Sequence, residues 1–298
     1  MAGEWTFKKR LEALGHGFFY LTMRCLGQLG AYVMLVPVVM VYVLFSRGIH
    51  RCTGPYIGRR FPGHSKVRQW FDTLRNILAF GQVLVDRGWM GMKAGSLQGE
   101  IIGYDRLLEL INKGKGAVLL TAHVGNWQSA LSRLEKLPVR VHALMRYDQA
   151  AVAKHYFDLG DKRGRPPFEI INIDGPFGGM IEATAALQRG ELVTIMGDRL
   201  VKGSSVTVDF LGSPVRFPDA AYALASMVAV PVVVVLAAKT GRKTYQLRVW
   251  DVFNPEFEDR SKRNDMLAKH AKKFAGILER YLKKYPYQWY NFFDIWQQ

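Results

Sequence analysis

From residue 99 to residue 252 the chain switches hydrophobic period repeatedly, and this alternation limits the folds open to it more than any other feature. Short β-rich runs, GEIIGYD (99–105), GAVLLTAH (116–123), VRVHALM (139–145), EIINI (169–173) and ELVTIMGD (191–198), take turns with stretches of helical period. Those stretches are DRLLELINKGK, Trp127 to Leu137, Gln149 to Leu159 and Gly178 to Arg189. A strand that re-enters a sheet through a helix runs parallel to the one before it, so the pattern predicts an α/β domain with a largely parallel central sheet flanked by helices. Beyond Ser205 come a hairpin-like VTVDFLGSPVRF, a helix from Asp219 to Val228, an apolar strand PVVVVLAA (231–238) and a strand TYQLRVWDV (244–252). An amphipathic helix from Arg260 to Lys284 and an aromatic ending, YPYQWYNFFDIW, follow. No repeat, low-complexity tract or long linker divides this region, and a helix from about Val67 to Arg87 leads into it. Residues 67–298 therefore read as one α/β domain, and 1–66 as an N-terminal membrane-associated helical segment and basic loop.

The membrane reading rests on Cys25 to Phe45, 21 residues in which Gln28 is the only strongly polar side chain. At about 1.5 Å per residue a helix of that length spans roughly 30 Å of hydrocarbon. Pro37 is expected to kink it, and Arg24 stands at its entrance. A clean span, a bent and shallowly inserted helix and a buried core helix all remain open. The flanks favour shallow insertion: six Lys/Arg and no acid lie between Arg47 and Arg68, while Lys8, Lys9, Arg10 and Arg24 lie on the other side. Both flanks then belong on the cytoplasmic side. Pro55, Gly58, Pro62 and Gly63 suggest that the second flank is a loop.

The whole chain carries 41 Lys+Arg against 25 Asp+Glu, a net charge of +16, and so should attract an acidic partner such as an anionic membrane surface or an acidic protein. The cations form no nucleic-acid recognition motif, and nucleic acid is not expected as a partner. Cys25 and Cys52 make neither a disulfide framework nor a metal-binding spacing, which fits a reduced, cytosol-facing setting without a metal.

In α/β sheets ligands gather at the carboxyl ends of the strands, so the polar residues just past each run carry most information. His123 closes GAVLLTA and precedes Val124, Gly125 and Asn126, ahead of a helix starting near Trp127. Gly125 allows close backbone approach to a ligand, and free N–H groups there are candidates for steadying an oxyanion. A histidine at such a place serves structure about as often as chemistry. Asp198 and Arg199 end a second strand and should approach His123 from beside it, with Arg199 holding a phosphate that Asp198 helps it orient, or the two forming an ordinary neighbour pair at the strand terminus. Arg216, before Phe217 and Pro218, is a further anion-binding candidate. The aromatic ending is expected to line a ligand tunnel, meet the lipid interface or pack in the core.

His123 with Gln128, GELVTIMGDR (190–199), VDFLGSPVRFP (208–218) and YPYQWYNFFDIW together resemble the lysophospholipid acyltransferase superfamily. The likeness is to its bacterial branch of lipid A late acyltransferases of the lauroyl/myristoyl type, and the ending and short N-terminus are closer to that branch's uncharacterised relatives. It runs from about Leu84 onward. The resemblance implies acyl transfer from a thioester to a hydroxyl or amine of a lipid-like acceptor at the cytoplasmic face of the bacterial inner membrane. The implied donor is the phosphopantetheine thioester of acyl-carrier protein, with acyl-CoA the other form, and no further cofactor. His123 becomes the general base, held by an acid five residues on. Position 128 is Gln where the family has Glu or Asp. An amide can accept the ring N–H but brings no charge, and by analogy costs roughly 10²–10⁴ in rate. Three explanations are open: an imposed change, a natural variant compensated by another carboxylate such as Asp198, or a catalytically silent relative that binds acyl-carrier protein or lipid for a partner enzyme.

Overall fold

The run Val232 to Lys239 is β-branched or small at nearly every position, and its first seven residues are buried; such a run is stable as a strand covered on both faces. It lies near the middle of a seven-stranded sheet in a computed structural model that describes residues 2–93, 96–126, 137–146, 168–200, 203–256 and 260–297. In chain order the elements are α1 (Ala2–Phe45), α2 (Arg47–Arg60), α3 (Lys66–Met92), β1 (Gln98–Ile102), α4 (Tyr104–Asn112), β2 (Ala117–Thr121), β3 (Val141–Met145) and β4 (Glu169–Asn172). Next come α5 (Met180–Gln188), β5 (Leu192–Met196), β6 (Ser205–Phe210), β7 (Ser213–Pro218), α6 (Ala220–Val228), β8 (Val232–Lys239), β9 (Thr244–Phe253) and α7 (Arg263–Lys284). The expected helices near Trp127 to Leu137, which carries Gln128, and Gln149 to Leu159 fall largely or wholly outside the described residues.

The sheet order is β1-β9-β8-β2-β5-β3-β4. Strands β8, β2, β5, β3 and β4 are mutually parallel, while β9 runs against β8 and takes β1 with it. The expected α/β fold with a largely parallel sheet and flanking helices is therefore what forms. Alternate residues of each central strand serve opposite faces. Val118, Leu120, Val232, Val234 and Leu236 join a core with α5, α6, α7 and the β6–β7 hairpin. Ala117, Leu119, Val233, Val235 and Ala237 join a second core with Leu107 and Ile111 of α4.

Two N-terminal features differ from expectation, and a third decides between readings left open. Pro37 leaves the helix unbroken, and the interruption is at Gly27, whose φ of 70° and ψ of −173° are open to glycine and costly to other residues. The helix can absorb a proline where neighbouring packing re-satisfies the freed carbonyl. The second flank is α2 rather than a loop, with Pro55 inside it. Tyr56 and Ile57 of α2 sit in the main core, so burial outweighs the loop propensity of Pro55 and Gly58. Of the readings open for Cys25 to Phe45, the core helix is the one set aside: Ala31, Leu35, Val39 and Val43 form one buried stripe at i+4 spacing, while Leu29, Val33, Val36, Met40, Val41, Leu44 and Phe45 remain exposed. Gly15–Phe45 is long and apolar enough to cross a membrane. The buried stripe packs against α3, where Leu35 fills the space over Gly81 and Val39 and Val43 meet Ile77.

The β6–β7 hairpin is fastened by Phe210, fully buried against Phe217, Trp289 and Trp296. Phe210→Ala is expected to lower stability by about 3–5 kcal/mol through the cavity it leaves, read from the urea midpoint at unchanged slope.

Candidate functional site

The parallel register between β2 and β5 sets the site. Thr121 pairs with Met196, and the ladder continues one step further, Gly197 N–H donating to the Thr121 carbonyl at 2.8 Å. Two residues past each strand, His123 and Asp198 therefore come side by side. The His123 ring Nδ1–H donates to Asp198 Oδ1 at 2.8 Å, and its main-chain N–H donates to Oδ2 at 3.0 Å. A third donor comes from the far end of the chain: the indole Nε1–H of Trp289 reaches Oδ2 at 2.8 Å.

Asp198 has no exposed surface, whereas 27% of the His123 side chain is open. Burial alone would raise the carboxyl pKa. The charge of His123 and the hydrogen bonds from its ring, from Trp289 and from its own main chain outweigh burial and hold it below the ordinary carboxylate range. An ionised carboxylate is acceptor-only, so Nδ1 carries a proton, and in the neutral ring Nε2 is the nitrogen that presents a lone pair. Among the described residues no hydrogen-bond partner meets Nε2. The arrangement can accept a proton at Nε2 and stabilise the resulting imidazolium from behind.

The C-terminal tail crosses this strand end as a short antiparallel ladder. Gly125 N–H donates to the Gln288 carbonyl at 3.0 Å, Tyr290 N–H to the His123 carbonyl at 2.8 Å, and Val124 bridges Trp289. Gly125 has φ +52°, and a Cβ there would lie 2.3 Å from the Ala237 carbonyl oxygen, so the close approach its sequence position suggested is to β8. Three main-chain N–H groups of this turn are already used: that of His123 by Asp198, that of Val124 by the Ala122 carbonyl and that of Gly125 by Gln288. They are not available to an oxyanion. Asn126 is buried just behind the loop.

Asp198 and Arg199 do approach from the neighbouring strand end, but they do not serve each other. Asp198 faces His123, while Arg199 Nε donates to Asn291 Oδ1 at 2.9 Å and the guanidinium lies over Phe293. Among the described residues no hydrogen bond engages its two terminal nitrogens. Arg216 stands exposed on β7, with Nε donating to Ser205 Oγ at 3.0 Å. Gln128 lies outside the described residues. Of the aromatic ending, Trp289 and Ile295 pack in the core and Phe293 remains exposed. Its polar members Gln288 and Asn291, together with the Trp289 indole N–H, are the site contributions that motif spacing missed.

A family model described as bacterial lipid A biosynthesis acyltransferase matches residues 60–298. Phosphatidylinositol mannoside acyltransferases from two strains of Mycobacterium tuberculosis, CDC 1551 / Oshkosh and H37Rv, are each 28% identical over 130 residues. That stretch is 42% of this chain and 39% of each relative, so the likeness spans well under half of their length.

Because folding lowers the Asp198 pKa, the site contributes stability fully above the unfolded-state value of about 3.9, and loses it as pH falls through the folded value. Urea midpoints of the wild type and Asp198→Asn should therefore differ most at neutral pH and converge as pH drops below about 4. A constant offset across that range would separate the stability effect from the carboxylate's charge.

Proposed function

Because the chain belongs to the bacterial lipid A biosynthesis acyltransferase family, matched over residues 60–298, we propose that it is a membrane-associated acyltransferase with His123 as general base. It moves a fatty acyl chain from an acyl thioester, carried by acyl-carrier protein or by CoA, to a hydroxyl or amine of a lipid-like acceptor. The name of the mycobacterial relatives supports a lipid acceptor. The observation that carries the reading is the His123–Asp198 pair, a part-exposed imidazole backed by a buried carboxylate at the strand ends.

His123 Nε2 takes the acceptor's proton as its oxygen or nitrogen attacks the thioester carbonyl. The tetrahedral intermediate collapses, the C–S bond breaks, and the imidazolium returns the proton to the departing thiolate. Asp198 holds the tautomer and offsets the positive charge in both steps. On this reading Asp198, delivered by β5, supplies the charge that Gln128 lacks, and the compensated natural variant is the favoured explanation of the amide. Arg199, fixed at Nε by Asn291, keeps two terminal nitrogens for a phosphate of donor or acceptor, and a pantetheine or nucleotide arm provides one. Arg216 remains a more peripheral anion-binding candidate.

His123→Ala is expected to abolish transfer in a folded protein. In Asp198→Asn the amide oxygen must stay at the Oδ2 position, where two N–H groups donate, and this turns its NH₂ toward Nδ1. The imidazole then switches tautomer, protonating Nε2, and kcat should fall by about 10²–10⁴ while KM barely moves. Gln128→Glu should leave turnover unchanged or lower it, since a second carboxylate repels the first. Thiol release from acyl-carrier protein thioester measures all three; a gain of two orders of magnitude in Gln128→Glu would overturn the compensation by Asp198.

We also propose that α1 lies in the cytoplasmic leaflet without crossing it. Near its break, Gln28 and Tyr32 hydrogen-bond to Asp86 and to the carbonyl of Arg242, and just past its other end Ile49 and Tyr56 of α2 are buried in the domain. A segment held at both ends by one domain supports shallow insertion through its exposed apolar face. In inside-out vesicles a membrane-impermeant maleimide should label Gly3→Cys and Lys269→Cys equally. Protection of Gly3→Cys alone would indicate a full crossing.

A further inference from the structure

An apolar membrane helix that carries one amide needs somewhere to put it, because an unpaired polar group in hydrocarbon is costly. Gln28 is 3% exposed, and its Nε2 donates to Asp86 Oδ1 at 2.6 Å. Tyr32, one helical turn on, donates its hydroxyl to the same oxygen. Asp86, on α3, is wholly buried, and its other oxygen accepts from the Lys239 ammonium and the Tyr245 hydroxyl. Lys239 Nζ also donates to the Tyr32 hydroxyl at 2.9 Å and to the Arg242 carbonyl at 2.8 Å. Burial pulls the Lys239 pKa down and Asp86 opposes that pull, as expected of an ammonium that needs its carboxylate. α1, α3, β8 and β9 thus meet at one polar cluster.

The cluster is connected to the histidine loop. Lys239 ends β8, and both of its main-chain groups are held by a single side chain: its N–H donates to Gln288 Oε1 at 2.7 Å, and Gln288 Nε2 donates to its carbonyl at 2.8 Å. The Gln288 carbonyl in turn accepts the N–H of Gly125, two residues past His123. Gly125 also rests directly on the Ala237 carbonyl of the same strand, which Tyr281 Oη caps at 2.8 Å. A shift of the β8 end therefore reaches the loop by two routes, through Gln288 and through the Ala237 contact.

We propose that Gln28 and Tyr32 are positioning residues for His123: by docking on Asp86 and Lys239 they fix the end of β8, and through Gln288 they hold the Gly125 turn that presents the imidazole. The N-terminal helix is then part of the device that orders the site as well as an anchor. The effect on turnover rests on the acyltransferase reading; the structural coupling does not.

The test uses the full chain in phospholipid nanodiscs. In Gln28→Leu/Tyr32→Phe the anchor becomes more apolar, so membrane partition should be retained. Amide hydrogen exchange across 123–126 should accelerate at least tenfold, and kcat should fall about tenfold with KM for the acyl thioester unchanged. Gln288→Ala, which breaks the middle link and leaves α1 untouched, should accelerate the same amides, and combining it with the double variant should add little. Wild-type exchange at 123–126 in the anchor variant, or full additivity of the two changes, would overturn the coupling. Accelerated exchange in a protein that shows no transfer with either thioester would uphold the coupling and reject the acyltransferase reading. If the double variant does not fold, Tyr32→Phe alone carries the same expectations at smaller size.

Discussion

The carboxylate of Asp198 is the constraint around which the strand-end region of the molecule is organised. An ion taken fully out of water costs several kcal/mol unless donors surround it, and here three N–H groups do so. Two of them belong to His123, which the β2–β5 register brings alongside. The third comes from Trp289, 91 residues away in sequence, and can reach only if the tail crosses the strand end as a paired segment. Trp289 is held in turn by Tyr56 of α2, Phe210 of the hairpin and Trp296, each packed on the indole. Satisfying one buried charge thus draws α2, the hairpin and the C-terminus into a common core.

A second buried carboxylate, Asp86, does for the N-terminal end what Asp198 does for the strand ends. Ordinary burial accounts for the stripe Ala31, Leu35, Val39 and Val43, but an apolar stripe alone lets a helix rotate or slide along α3 at small cost. Gln28 and Tyr32 remove that freedom, because only one register brings both to Asp86. The break at Gly27 fits this picture: the chain changes direction just before the residue that must be placed.

The strands were legible because period and composition agree in them; PVVVVLAA and ELVTIMGD have no reading other than buried strands once helices separate them. His123 and Asp198 were legible as strand-end residues, and their proximity followed from adjacency of two parallel strands. Their pairing did not follow, since spacing alone left Asp198 as suited to Arg199 as to His123. The Trp289 donor, the Gln288 link and the use of the 123–125 amides are contacts over long sequence separations, and no local pattern encodes them. α2 was misread because Pro55 and Gly58 carry loop propensity, while the burial of Tyr56 and Ile57 that overrides it is tertiary.

On the proposed mechanism, the amide at position 128 raises a problem of charge that the strand-borne acid answers. One imidazolium carries one positive charge, and a carboxylate at Nδ1 is enough to neutralise it. An acid five residues past the base and an acid across the sheet ladder are two ways of delivering that carboxylate. Asp198 sits at the end of a hydrogen-bonded strand, wholly buried and fixed by three donors, so it needs no reorganisation as the charge develops. With that partner in place, a neutral side chain at 128 leaves the charge count of the proposed mechanism balanced. On the proposed mechanism, the departure from the family pattern moves the acid from five residues past the base to the end of the neighbouring strand and keeps the base.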